Sequence, residues 1–146
     1  MPVLTPITNV PQSQDMILLR GTTLAPSLII YQYTPAATFG GTATSAAYPI
    51  PNNARILFIV QPNILVPAST APLLQKDNQS LTGVTVTNAA TGLITVSFNA
   101  TDLLDPVAFP EDANQYYAVK LFVGTNPEQI VIQGAFVVTS SIVSAT

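Results

Sequence analysis

Gly83-Val-Thr-Val-Thr-Asn88, Ala89-Ala-Thr-Gly92 and Leu93-Ile-Thr-Val-Ser-Phe98 run consecutively, and their reading decides the fold. Two alternating, β-branched stretches flank a short turn that ends in Gly, the pattern of a β-hairpin. On the second stretch Ile94, Val96 and Phe98 share one face, opposed to Leu93, Thr95 and Ser97. On the first, Val84 and Val86 share a face. Neither segment has the 3.6-residue period of a helix.

The same signals recur on both sides. Upstream, Ala54 to Gln61 contains Ile56-Leu-Phe-Ile-Val60, apolar on both faces, which reads as a central strand ended by Pro62 and Pro67. Residues 16–20 form a first strand closed by Gly21. Residues 28–34 form a second, with Leu28, Ile30, Gln32 and Thr34 on one face and Ile29, Tyr31 and Tyr33 on the other. Residues 35–53, rich in Ala, Thr, Gly and Ser, read as a long loop. Residues 72–76 read as a short edge strand, since a Pro suits a strand start. Downstream, 99–105 reads as one helical turn capped by Asn99 or Thr101 and stopped by Pro106. Residues 115–123 and 129–138 form a second hairpin across Gly124-Thr-Asn-Pro-Glu128. The sum is an all-β chain of about seven or eight strands at sandwich spacing. Residues 1–14, broken by Pro2, Pro6 and Pro11, are expected to be an extended N-terminal arm. Residues 15–142 form the sandwich domain and 143–146 a C-terminal tail.

Composition narrows function. Of 146 residues only 11 are charged, 8%, while 48% are hydrophobic. Ordinary soluble domains carry about 25% charge, and charge keeps small domains apart in water. A surface this neutral suits a chain covered by neighbours. The start has no basic region followed by an apolar stretch and is not expected to be a secretory signal. The longest unbroken apolar run is too short to cross a membrane as a helix. With four cations and a net charge of −3, nucleic acid is not an expected partner.

There is no Cys, His or Trp, which removes the thiolate, the usual general base and the commonest metal ligands. Asp102, Asp105, Glu111 and Asp112 lack the spacing of a calcium loop and read as a solvated loop with a capping Asp. A Ser–Lys pair could use only Lys76 or Lys120, and Lys120, mid-strand, reads as an outward-facing solubility residue. Gly40-Gly41 lacks the Lys of a phosphate loop. No residue is assigned a catalytic, cofactor-binding or metal-ligating role, and no cofactor is expected. Asn78-Gln-Ser and Asn99-Ala-Thr match the glycosylation pattern by chance. Tyr116 or Tyr117 is a candidate tyrosine corner, its hydroxyl bonding backbone upstream. Tyr31, Tyr33 and Phe39 suit packing against core or subunits, with an exposed aromatic binding face as the alternative.

One resemblance covers most of the chain. Its residues are Leu19-Arg-Gly-Thr-Thr23, Arg55-Ile-Leu-Phe-Ile-Val60, the hairpin from Gly83 to Val96, the short turn Thr101-Asp-Leu103, Tyr116-Tyr-Ala-Val-Lys-Leu-Phe122 and Gly134-Ala-Phe-Val-Val138. In this order they resemble the small immunoglobulin-like modules of tailed-phage virion proteins, in particular the N-terminal domain of phage baseplate upper proteins. The long 35–53 segment and the Pro-rich arm depart from that pattern. So does the lack of a large downstream region, which suits a free-standing subunit; a capsid decoration (cement) protein fits the resemblance equally. It implies an immunoglobulin-like antiparallel β-sandwich. The implied function is non-catalytic: a baseplate, tail or capsid component, assembled in the host cytoplasm into the virion as a homo-oligomer with other virion proteins. The arm (Val3, Leu4, Ile7, Val10) and the 35–53 segment (Phe39, Tyr48) are the expected contacts. A module that binds a host-surface glycan is the other class that suits a sandwich.

Overall fold

The computed structural model describes residues 12–34, 38–42, 44–63 and 71–139. Among them are eleven strands: Gln12–Ser13 (β1), Met16–Leu19 (β2), Ser27–Ile29 (β3), Tyr31–Thr34 (β4), Thr44–Ala47 (β5), Arg55–Gln61 (β6), Leu74–Asp77 (β7), Val84–Asn88 (β8), Leu93–Val96 (β9), Gln115–Phe122 (β10) and Gln129–Thr139 (β11). They form an all-β sandwich. The larger sheet runs β1-β11-β10-β6-β7, with β2 also on β11; the smaller runs β3-β9-β8. Strands β1 and β2 lie parallel to β11, whereas β10 pairs antiparallel with both β11 and β6. The first strands thus join the last one in the larger sheet, while β3 pairs with β9 in the smaller.

The core follows from alternation. Ile56, Phe58 and Val60 of β6 point into the sandwich and have no exposed surface, as do Ile94 and Val96 of β9, Tyr117 and Val119 of β10, and Phe136 and Val138 of β11. Immunoglobulin domains commonly centre on a Trp and a disulfide; this chain has neither residue type. Its centre is an aromatic cluster instead. Phe58 meets Phe98 edge-on at 5.6 Å and 78°, and lies 5.5 Å from Tyr117 and 6.2 Å from Phe136. Such geometry adds about 1 kcal/mol per pair beyond area burial.

The hairpin at 83–98 forms as read, with a 3₁₀ turn at Ala89–Thr91 and Gly92 in the left-handed region (φ 70°). A Cβ at Gly92 would sit 2.6 Å from the Ile30 carbonyl oxygen and 2.8 Å from that of Tyr48, so both the turn and the close approach require Gly.

Four expectations change. The single strand at 28–34 is two: Ile30 breaks the ladder, donating its N–H to the Gly92 carbonyl and accepting that of Tyr48. Strand β4 then leaves the smaller sheet and pairs with β5, which lies inside the segment read as a loop. The expected helical turn at 99–105 is instead a pair of successive turns, held by Asp102 N–H to Asn99 O and Leu104 N–H to Thr101 O. Regular pairing also begins at Gln12, so two residues assigned to the arm belong to the sheet. Residues 1–11 and 140–146 lie outside the described residues. No helix among the described residues is long and apolar enough to cross a membrane.

Candidate functional site

All four cations of the chain are engaged internally. Arg55 Nε lies 2.9 Å from Asp77, Lys76 Nζ 2.9 Å from Asp102 and Lys120 Nζ 2.9 Å from Glu128. Arg20 donates to the Phe109 carbonyl at 2.5 Å. Both lysines considered for Ser–Lys chemistry are therefore in ion pairs. Lys76 pairs across the ladder with Phe58, so it starts on the inner face at the edge of the sheet. Its stem lies over Gly83 and its ammonium 5.6 Å from the Phe98 ring. Lys120 faces outward, as expected.

The acidic loop does not converge. Asp102 takes Lys76 and the Asn99 N–H, whereas Asp105 accepts the Val107 N–H. No group of three or more potential metal ligands occurs among the described residues. The amides of Asn78 and Asn99 are both structural: Asn78 bonds Ile56 N–H and Ala54 O, and Asn99 accepts from the Thr101 N–H and hydroxyl.

The most constrained polar residue was not singled out from sequence. Asp77 has no exposed surface. Its carboxylate accepts the N–H groups of Gln79 (3.0 Å) and Leu81 (2.6 Å), the Ser80 hydroxyl (3.3 Å) and Arg55. Burial opposes ionisation, but the two N–H groups and the guanidinium outweigh it and hold the carboxyl below its usual range. The run Asp77-Asn-Gln-Ser80 was the available signal, since side chains of this kind fold back on their own backbone in turns. The site is structural: it ties the β7–β8 connection to β6.

At the opposite edge, residues 14 and 15 pass closely over β11. A Cβ on Gly134 would lie 2.0 Å from the Gln14 carbonyl oxygen. Gln14 N–H bonds Gln133 O, and Asp15 Oδ1 accepts the Ala135 N–H. The hydroxyl of Tyr117 donates to Gln14 O at 2.5 Å. That is a backbone bond to an upstream residue, as a tyrosine corner makes, but it reaches 103 positions back to the first strands. Burial, then the Asp15 charge, push the Tyr117 phenol up to about 12. Beside this crossing is an open depression of about 420 Å³, bordered by Asp15, Asn63, Asn114, Tyr116, Gln133 and Gly134 among others. Tyr116 donates its hydroxyl to Gln133 Oε1.

The expected contact residues separate. Phe39 is fully exposed on the connection between β4 and β5. Tyr48 is only 3% exposed and packs in the main core, because its N–H is drawn to Ile30 O. It is an interior residue and not a subunit contact. Val3, Leu4, Ile7 and Val10 lie outside the described residues. Sequence reading missed Ile17 (71% exposed) on edge strand β2 and Val107 (86%) beside Leu104.

No protein-family model matches this chain, and neither does any curated protein.

Proposed function

We propose that this chain is a non-catalytic structural subunit of a tailed-phage particle, acting through contacts with copies of itself and with other virion proteins. The observation that carries this reading is the state of its charges. Four cations are available, and all four are bonded within the fold. The stretch from Gly21 to Ala54 contains no charged residue at all. Burying such a surface against a partner requires little charge desolvation, the main obstacle to hiding ordinary protein surface. The exposed apolar residues Ile17, Phe39, Leu104 and Val107 add about 25 cal/mol per Å² where they are covered. The same neutrality disfavours nucleic acid, which is held by free Lys and Arg.

The solution mass of the full chain, measured by light scattering over a range of concentrations, tests this. A defined oligomer is expected, with Ile17→Lys or Val107→Lys shifting it towards monomer and removal of residues 2–11 weakening it. A monomer at every concentration, with no mass change in those variants, overturns self-assembly.

A further inference from the structure

The depression beside Gly134 gathers polar groups apart from the exposed apolar residues of the proposed contacts. Its polar groups are planar and sit in a largely apolar lining: the carboxylate of Asp15, the amides of Asn63, Asn114 and Gln133, and the ring of Tyr116. Two are fixed in place. Asp15 is held by its Oδ1 bond to Ala135 N–H, which directs the second oxygen elsewhere. Gln133 is held by the Tyr116 hydroxyl on Oε1, which leaves the amide N–H₂ as a donor. Every Lys and Arg is bonded elsewhere in the fold, so the depression offers one negative charge and no positive one.

That inventory selects a ligand class. Phosphate, sulfate and acidic sugars would meet an uncompensated carboxylate. A cation would find one carboxylate where hard metals need several oxygens. A neutral polyol fits: each hydroxyl can donate to the carboxylate and accept from a neighbouring amide N–H. Tyr116 supplies an apolar edge for the ring's C–H groups. The volume lies within the range of small-ligand sites, and a few convergent polar groups on a rigid frame are their usual composition. Two of these residues stand on β10 and β11, the longest strands, so the groups are prearranged. We infer that this depression is a binding site for a neutral carbohydrate, contacted by Asp15, Asn114, Tyr116 and Gln133. It is independent of the assembly reading.

The test is amide-resolved NMR titration of the full chain with glucose, galactose, mannose and N-acetylglucosamine, each separately. Glucuronic acid, inorganic phosphate and a synthetic peptide of residues 1–11 serve as comparators. At least one neutral sugar is expected to shift amides at residues 14–15, 114–116 and 133–135. Asn114→Ala, at an exposed position, and Tyr116→Phe are each expected to weaken that binding about tenfold, the first by losing one hydrogen-bonding group and the second by releasing the Gln133 amide from its anchor, with oligomer mass and unfolding midpoint unchanged for Asn114→Ala. No shift with any neutral sugar overturns the inference. So do shifts that spread elsewhere, or that survive both substitutions. Stronger binding of phosphate or glucuronic acid overturns the ligand class. Shifts caused by the peptide alone assign the depression to the chain's own N-terminal segment.

Discussion

The two edges of the larger sheet are closed by opposite means. At β7 the closure is electrostatic: Lys76 bridges to Asp102, and Asp77 gathers two backbone N–H groups, a hydroxyl and Arg55. At β1 and β2 it is steric and neutral in its main contact: backbone crosses over Gly134, and a phenol bonds a carbonyl. The difference teaches where a chain with few charges puts them. Two ion pairs, Arg55–Asp77 and Lys76–Asp102, sit at one edge, where the β7–β8 connection leaves the larger sheet for the smaller. There a carboxylate can satisfy several backbone donors at once, which no apolar side chain can do. The other edge uses a carboxylate more sparingly: parallel pairing with β11 takes one side of its backbone, and Asp15 accepts a single N–H, that of Ala135.

The contrast breaks most easily at its steric side. Gly134→Ala is expected to be the most damaging single substitution. Backbone cannot swing away as a flexible side chain can, so a Cβ 2.0 Å from Gln14 O must displace the crossing and its three hydrogen bonds. About 4 kcal/mol is expected, from overpacking plus lost bonds, read as a fall in the urea midpoint. Asp77→Ala comes next, at about 3 kcal/mol, because it leaves two N–H groups and Arg55 without their acceptor. Asp77→Asn keeps one acceptor oxygen and should recover part of the loss. The acid side adds a sign. The folded-state pKa of Asp77 lies below its ordinary value of 3.8, so its contribution is present above that pH and is lost as pH falls through the lower, folded value. Stability of Asp77→Ala should therefore depend less on pH in that acid window.

Legibility in sequence follows the range of the interaction. The 83–98 hairpin and β6 were readable because period-two alternation and a Gly-ended turn are local. Strand β5 was not: Thr44-Ser-Ala-Ala47 has little β propensity, and its pairing comes from β4. The break at Ile30 was invisible because the alternation continues through it while the partner changes from β9 to β5. At 99–105 the Asn99 carboxamide takes the Thr101 N–H and hydroxyl, which favours separate turns over a helix. In the candidate site, Tyr116 and Tyr117 drew notice as a tyrosine corner, but their partners Gln133 and Gln14 could not be assigned. The need for Gly at 134 depends on a chain segment about 120 residues away. Tyr48 between small residues and Pro49 looked like a surface aromatic; only the Ile30 contact places it inside.

Tyr117→Phe sharpens the neutral side of the comparison without disturbing its packing. The ring stays among Phe58 and Phe136, while Gln14 O loses its donor; about 1 kcal/mol is expected. The alkaline sign is opposite to that of Asp77. The phenol is raised from 10 to about 12, so its protonated form stabilises the fold fully below pH 10. That contribution is lost as pH rises towards about 12. The wild type should lose stability in this window, and Tyr117→Phe should lose less. Equal slopes would show that burial and the Asp15 charge do not raise the Tyr117 phenol in the fold.

The smallest effect belongs to the Lys120–Glu128 pair. Lys120 and Glu128 are 2.9 Å apart, but Glu128 is 45% exposed, and exposed pairs contribute about 0–1 kcal/mol. Lys120→Ala should change the unfolding midpoint by about 0.5 kcal/mol or less, and added salt should erase even that. Its value lies in contrast with Asp77→Ala, since both substitutions remove one partner of a 2.9 Å pair. If burial and backbone acceptance set the strength of the β7 edge, the two must differ several-fold. If they prove equal, the charge at that edge is ordinary surface charge, and the β7–β8 connection is held by its backbone bonds alone.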